Sequence, residues 1–467
     1  MNANSRLEDI LRKLKVESAF SDQYSPPKHL TERMSELQNP GVSLAIIDDF
    51  ELVSVDAFGV SDTRTQNKLT NDSLFLAGSI SKSVFATGVM LLVQQGKLDL
   101  DEDINKYLTS WKIPANQGWQ PRVTLRNILS HTAGLTVHGF PGYLTTEKIP
   151  TTVQVLNGEP PANTPAVVVN QLPGVEFRYS GGGTTVGQLA VCDHLNELSF
   201  ATLMNRLVLQ PLNMDSSTFE NPLPKSRVAQ ASVAHPSNGV PLEGNYPVYP
   251  EMAAAGLWST PKDLANFGID LLKSLRGSTD QLLQQSTLQD MLKPQLRHQG
   301  ESKEYAGLGF FCERDGEDIC FYHGGWDEGF VCSIRLHHPT GKGAVVMINS
   351  NAGHLLIDEI FQAIAEEYDW PLRPSKTHFV EIPNYEQFVG EYVSESGLTA
   401  TIIPIDKGIT LQFESQAPVL FYPTSETTFT SEVINTELEF SRDDDGNIFQ
   451  MDAKLENVTA RMTRKSR

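Results

Sequence analysis

The sequence predicts an α/β domain interrupted by a helical region and followed by a small all-β domain. Three observations carry this reading. Strand and helix patterns open the chain, helical patterns fill its middle, and strand patterns return before a last amphipathic helix. The composition then changes at Trp370-Pro371-Leu372-Arg373-Pro374, beyond which short alternating runs are separated by turn residues. The length, 467 residues, suits one large domain and one small one as well as it suits two or three of average size.

Taken in order, residues 5–37 predict two short polar amphipathic helices broken by Pro26-Pro27. Gly41–Ile47 and Glu51–Val55 predict two strands joined as a hairpin across Asp48-Asp49. From Ser79 to Gln95 the chain is apolar on nearly every side and stops at Gly96, the pattern of a buried helix. Further helices are predicted at 124–130, 184–197, 199–208, 261–274 and 284–292. The Pro-bearing connections 139–170 and 221–252 are longer than ordinary loops, as segments lining functional sites often are. Strands follow at 305–313, 318–323, 329–337 and 343–349, then a helix at 354–368. In the tail, strands are predicted at Thr399–Ile405, Ile409–Phe413, Val419–Tyr422, Glu437–Ser441, Ile448–Leu455 and Val458–Thr463, with turns at 406–408, 423–426 and 443–447. That spacing is the spacing of a small up-and-down barrel or sandwich. The expected domains are 1–370 and 376–467.

Lys and Arg total 37 against 57 Asp and Glu, a net charge of −20, with 40% hydrophobic and 20% charged residues. Such a composition folds around a large core. The pI near 5.0 argues against nucleic-acid or anionic-membrane partners, because no basic excess exists to displace counterions from phosphates. Met1–Val16 is charged and lacks an apolar segment, so a secretory leader is not expected, and no run reaches the ~18 apolar residues needed to span a bilayer. The expectation is a soluble cytoplasmic protein. Its four cysteines show no Cys-x-x-Cys or zinc spacing. Cys312 and Cys320 flank a hairpin turn expected at Asp315-Gly316, so a cross-strand disulfide is open, with reduced core thiols the favoured alternative.

Three Ser-x-x-Lys tetrads occur. Ser25-Pro26-Pro27-Lys28 is too proline-rich to be helical. Ser259-Thr260-Pro261-Lys262 reads as a helix start, with a hydroxyl cap, Pro at the first position and Asp263 in the first turn. Ser79-Ile80-Ser81-Lys82 opens the buried helix, and residues three apart share a helix face. Burial there lowers a lysine's proton affinity, and a helix N-terminus favours developing negative charge. Taken alone the tetrad is equally a nucleophile with its base or an N-cap with a solvated neighbour. Tyr179-Ser180-Gly181 precedes Gly182-Gly183 and an apolar helix, so Tyr179 is a second acid/base candidate or a packed tyrosine at a glycine-rich helix start. The glycines are not a phosphate loop, since no Gly-Lys-Ser/Thr follows. His323-Gly324-Gly325-Trp326 lies on or beside a strand, where two glycines let a substrate backbone approach and His323 offers a polar or cationic group.

In this order and spacing the segments resemble the serine β-lactamase and penicillin-binding-protein superfamily, in particular its class C β-lactamase-like branch of esterases and D-amino-acid peptidases. The second motif of that branch, Tyr-x-Asn, stands as Tyr179-Ser180-Gly181, and the third, Lys-Thr-Gly, as His323-Gly324-Gly325. Leu129-Ser130-His131-Thr132-Ala133-Gly134-Leu135 and Ala254-Ala255-Gly256-Leu257-Trp258-Ser259-Thr260 match the branch as well. The resemblance covers roughly residues 30–368. The tail resembles the lipocalin-like β-domain that often follows this catalytic domain. The implied fold is an antiparallel sheet flanked by helices with an inserted helical region, plus the barrel-like tail.

The resemblance implies acyl transfer to small esters or amides. Ser79 is the implied nucleophile, Lys82 and Tyr179 the proton carriers, and the backbone N–H groups of Ser79 and Trp326 the oxyanion hole. His323 is implied to contact a substrate carboxylate or to orient Tyr179, and Gly325, Gly181 and His138 fall at substrate-contacting positions. Gly181 replaces an asparagine and His323 a lysine, which leaves slow or weak turnover of β-lactams the expectation. A peptidase for D-amino-acid or cell-wall-derived peptides is the alternative of the same class, and a binding protein without turnover the alternative of another. No His-Glu-x-x-His cluster or Gly-x-Ser-x-Gly elbow is present, so neither metal nor cofactor is expected. The expected partners are a small-molecule or short-peptide substrate and, in the assembled state, further copies of the chain as a homo-oligomer.

Overall fold

The computed structural model describes residues 3–15, 26–236, 239–278, 281–296, 303–370, 379–394, 397–405, 407–413, 419–431, 436–443, 445–455 and 458–465. These form two compact units, the first from the described residues of Met1–Leu14 and Lys28–Pro371, the second from those of Lys15–Pro27 and Leu372–Arg467. The predicted linker at 371–374 and Ser25 of the first tetrad lie outside the described residues.

The first unit is built on an eight-stranded antiparallel sheet. Its order is Asn67–Lys68, Glu51–Asp62, Gly41–Asp48, Lys342–Ile348, Phe330–His338, Asp318–Asp327, Phe311–Asp315, Glu304–Ala306. Gly41–Asp48 and Lys342–Ile348 are buried along almost their whole length and pair centrally, Leu44 opposite Val346 and Val42 opposite Ile348. The two ends of the unit's chain are thereby joined in one core. Helix Pro261–Leu275 lies on one face, with Gly268 against Leu336. Helix Gly353–Tyr368 lies on the other, with Arg335 stacked over Phe361. Adjacent strand residues 335 and 336 point to opposite faces, so one strand meets both helices.

Local rules account for most elements. Thr260 caps helix Pro261–Leu275 by accepting from the Asp263 N–H, with Pro261 at its first position. Helix Ile80–Gln94 is buried nearly all round and gives way to Gly96 at φ 69°. The long connections are more ordered than their composition suggests. Thr151 caps a helix Thr152–Asn157, and Tyr143–Leu144 of one connection pairs with Pro247–Val248 of the other. The single strand predicted at 305–313 is two, Glu304–Ala306 and Phe311–Asp315. Between them the chain turns at Gly309, φ 78°, where a Cβ would sit 2.4 Å from Ala86 on the serine helix. The conceivable disulfide is not formed, and all four cysteines are free. The register sets Cys312 opposite Phe321 and Cys320 opposite Glu313, so the two thiols point to opposite faces of the hairpin.

The second unit is a closed barrel of eight strands in chain order, from Gly390–Ser394 to Val458–Arg464, which pair with each other to close it. Phe388, Tyr392, Phe421, Phe429 and Phe440 fill it. Two of its strands escaped the sequence pattern, Gly390–Ser394 and Thr428–Thr430, each showing a single inward residue, Tyr392 or Phe429.

One contact positions the segments that carry the predicted site residues. Strand Asp318–Asp327 presses on the turn before the serine helix, where a Cβ on Gly325 would lie 2.1 Å from the Ala77 carbonyl oxygen and 2.5 Å from Cys332 Sγ. Gly78, at φ 50°, is equally close to the Trp326 nitrogen, 2.6 Å from its ideal Cβ. Gly325→Ala is expected to destabilise the first unit by about 1–3 kcal/mol, because backbone rather than a flexible side chain must yield. Urea denaturation measures this, and an unchanged midpoint would mean that the strand can move away without cost. A chain ended after residue 374 is expected to retain a cooperative unfolding transition by circular dichroism. Loss of that transition would mean that the two units depend on one core.

Candidate active site

Ser79 and Lys82 meet because they lie three residues apart at the start of one helix. Lys82 Nζ donates to Ser79 Oγ at 2.9 Å and to the Ala254 carbonyl at 2.8 Å. The lysine is buried, while Ser79 keeps partial access to solvent. Burial pushes the Lys82 pKa down to about 7, against an opposing pull from the Asp327 carboxyl. An amine of that strength exists substantially as the free base at neutral pH, with a lone pair beside a hydroxyl.

Tyr179 supplies the second wall. It precedes helix Gly181–Leu195, whose cap is Ser180, accepting from the Gly183 N–H at 2.8 Å. Lys82 Nζ lies 4.9 Å from the centre of the Tyr179 ring. His131 stacks on that ring at 4.1 Å between centroids, His138 approaches it at 4.9 Å, and His323 and Phe311 stand at 6.3 Å. His131 is buried, sits at φ 56° and accepts the Ser180 N–H at Nδ1, 3.1 Å away. Burial first, then the Lys82 charge, holds its pKa well below the ordinary value. Strained backbone at a non-glycine residue is often found where a site holds a side chain in place.

His323 is buried too, and burial with the neighbouring Lys82 pushes its pKa down to about 4. It is neutral at pH 7, so of the polar or cationic group expected there it is the polar one. Nδ1 lies 2.6 Å from the Gly324 carbonyl, so that nitrogen carries the proton and Nε2 is an acceptor. Below the dyad lies a buried acidic pair. Asp327 takes the Gly78 N–H and the Tyr249 hydroxyl, while its Oδ2 has no partner among the described residues, and burial holds its pKa far above the usual carboxylate range. Glu251 is wholly buried, its carboxyl oxygens without a partner among the described residues beyond its own amide, and burial pushes its pKa up to about 8. Both acids are therefore favoured in their neutral forms at pH 7, while Lys82, with a pKa of about 7, is divided between its two forms.

Of the predicted site residues, the structure brings Ser79, Lys82, Tyr179, His323 and His138 together, and sets the Trp326 nitrogen beside the Gly78–Ser79 backbone. Gly325 contacts the chain itself rather than open space; Gly324 is exposed, with open space around it. Gly181 is not at the cleft surface. It is buried, donates to the His138 carbonyl, and a Cβ there would meet that oxygen and the Phe140 ring at 3.0 Å. Sequence reasoning missed His131, the Ala254 carbonyl, Asp327 and Glu251. The first two lie inside the segments that matched the resemblance, where a role for each could have been sought. The acids carry no local signal beyond a charge in an apolar stretch. Among the described residues no cluster of three or more His, Cys, Asp or Glu could hold a metal, and no helix is long and apolar enough to cross a membrane.

Known proteins share this fold and sequence pattern. Penicillin-binding protein 4* of Bacillus subtilis (strain 168) is 22% identical over 422 residues, 83% of this chain and 87% of that protein. Protein flp of Staphylococcus aureus (strain N315) is 25% identical over 330 residues, 68% of this chain but only 61% of that protein. Among solved structures, the octameric penicillin-binding protein homologue from Pyrococcus abyssi superposes with a TM-score of 0.62 at 19% identity, covering 93% of this chain and 98% of that one. SurE with D-Leu gives 0.60 at 21%, covering 93% and 97%. The D-alanine carboxypeptidase AmpC from Burkholderia cenocepacia gives 0.58 at 18%, covering 78% and 100%. At these identities the structural likeness is one of fold. The family model described as Beta-lactamase matches residues 27–368, the greater part of the chain, and the chain belongs to that family.

Proposed function

We propose that this protein is a serine hydrolase that forms an acyl-enzyme at Ser79 with small esters or amides. The observation that carries the reading is the 2.9 Å contact of Lys82 Nζ with Ser79 Oγ, made by a buried lysine whose pKa is about 7. Ser79 Oγ attacks the substrate carbonyl carbon and its proton passes to Lys82 Nζ. The carbonyl electron pair moves to oxygen, which the N–H groups of Ser79 and Trp326 receive; one such donor is worth ~10²–10³ in rate. Collapse breaks the carbonyl–leaving-group bond, and Tyr179 delivers a proton to the departing oxygen or nitrogen. Water then attacks the acyl-enzyme carbonyl and gives its proton to the Lys82–Tyr179 pair, and as the bond from Ser79 Oγ to the acyl carbon breaks the pair returns one proton to Ser79 Oγ. His138 lines this cleft. His323, neutral with its free nitrogen an acceptor, acts by orienting the Tyr179 side of the site.

The second reading, a peptidase for D-amino-acid peptides, is supported by the D-Leu bound to SurE and by the carboxypeptidase activity in the name of the Burkholderia relative. The octameric Pyrococcus homologue supports a homo-oligomer. Four unbridged cysteines support residence in a reducing compartment such as the cytoplasm.

Ser79→Ala is expected to abolish labelling by a serine-directed phosphonate together with ester turnover. A wild-type protein that neither turns over a chromogenic short-chain ester nor takes the label would instead be a binding protein. Lys82→Ala should cost about 10²–10⁴ in kcat with a smaller change in KM. Because the base works deprotonated, kcat/KM should fall about tenfold per pH unit below a midpoint near 7 and level off above it. A profile flat from about pH 5 to 8 would reject Lys82 as the base. A chromogenic cephalosporin should be a poorer substrate than the ester, measured as kcat/KM, and the reverse order would place β-lactams among the preferred substrates.

A further inference from the structure

The open edge of the His323 strand has two chemically different ends. Strand Phe311–Asp315 pairs with it only from Asp318 to Tyr322, so from His323 onward one side has no strand neighbour among the described residues, while the other stays paired with Phe330–His338. Ser79 abuts the middle of this open stretch through the Gly78 and Gly325 contact. A substrate reacting at Ser79 can therefore lie along it. Tyr179 and His323 occupy one end. Tyr179 is the proposed donor to the leaving group, so the other end, Trp326 to Glu328, faces the acyl group.

That acyl end is built and held. Trp326 is 59% exposed, unusual for so large an apolar side chain, yet it is not loose. Its Nε1 donates to Asn351 Oδ1 at 3.1 Å, the same oxygen accepts the Gly329 N–H at 2.7 Å, and Asn351 Nδ2 donates to Glu328 Oε1 at 3.1 Å. One asparagine thus clamps an indole and a carboxylate side by side at the end of this open stretch, with the indole largely open to solvent.

From this bracket we infer that Trp326, Asn351 and Glu328 form an acyl-side subsite for a positively charged group, an ammonium or quaternary ammonium carried by the acyl part of the substrate. The inference rests on the hydrolase reading for its orientation and deepens it to a substrate class. An indole face attracts a cation through its quadrupole, and an adjacent carboxylate adds direct charge attraction. A carboxylate-bearing acyl group finds the opposite field. His323 is buried with its pKa pushed down to about 4, Lys82 is buried with its own lowered to about 7, and Arg64 is paired with Asp62.

The test uses the full chain and three p-nitrophenyl esters of matched size, with acyl groups 4-(trimethylammonio)butyryl, its neutral isostere 5,5-dimethylhexanoyl, and the anionic hemiglutaryl. The wild type should prefer the cationic over the neutral ester by about fivefold in kcat/KM at low salt, less at high salt, with the anionic ester last. Trp326→Leu and Glu328→Gln should each bring the cationic-to-neutral ratio toward one, circular dichroism confirming that both variants fold. A wild-type ratio of one or below, or a ratio that survives both substitutions, overturns the subsite. Turnover of the neutral ester that Ser79→Ala removes tests the hydrolase reading separately. If no ester is turned over, calorimetric titration with 4-(trimethylammonio)butyramide decides. Binding weakened by Glu328→Gln supports the subsite, and affinity no greater than that of 5,5-dimethylhexanamide overturns it.

Discussion

The site depends on two backbones lying closer than side chains allow. Strand Asp318–Asp327 touches the Ala77–Ser79 turn at positions where both chains carry glycine, with no space for a Cβ at Gly325 or Gly78. That approach sets the Trp326 amide beside Ser79, and so places the proposed oxyanion donors on a helix start and a strand rather than on loops. Cys332 Sγ, bonded to the Ala77 carbonyl at 3.0 Å, and the Leu257 carbonyl, accepting the Ala77 N–H, hold the turn from the other sides. A rigid pair of donors costs no reorganisation when negative charge develops between them.

Around this frame, burial governs protonation. Lys82, His131 and His323 are each shifted by desolvation toward the neutral base, and Asp327 and Glu251 toward the neutral acid. A protein interior that contained these groups in their charged forms would carry several unscreened charges within one core, which is far costlier than letting each hold or release its proton. The same low dielectric that removes charge from the lysine makes it a base at neutral pH. Lys82 donates hydrogen bonds to a hydroxyl and a carbonyl, neither of which stabilises a charge as a carboxylate would, and the pull of the Asp327 carboxyl is outweighed by burial.

The tyrosine wall follows a different logic. His131, His138, His323 and Phe311 surround the Tyr179 ring through faces and edges, and the His131 ring is locked by the Ser180 amide. Packing of this kind fixes the ring plane while leaving the position of the hydroxyl to be set by the backbone before helix Gly181–Leu195. The glycines at that helix start let the His138–Phe140 loop lie directly on it, which is why Gly181 serves packing rather than substrate contact.

The sequence by itself determined what depends on neighbours within a turn or two. The buried helix Ile80–Gln94, the Thr260–Pro261 start of helix Pro261–Leu275, the strands Thr399–Ile405 and Ile448–Leu455, and the presence of Ser79 and Lys82 on one face all follow from periodicity, caps and the i, i+3 relation. Only the tertiary structure decided the pairing of Gly41–Asp48 with Lys342–Ile348, the split of 305–313 at Gly309, the stacking of His131 on Tyr179 and the buried pair Asp327 and Glu251. It also decided the charge of His323, which the bare residue type would leave partly positive at pH 7. The reason is range. Helical and strand patterns are imposed by bonds between near neighbours, whereas register between distant strands, close backbone approach and proton affinity are set by which remote groups exclude water from the same place.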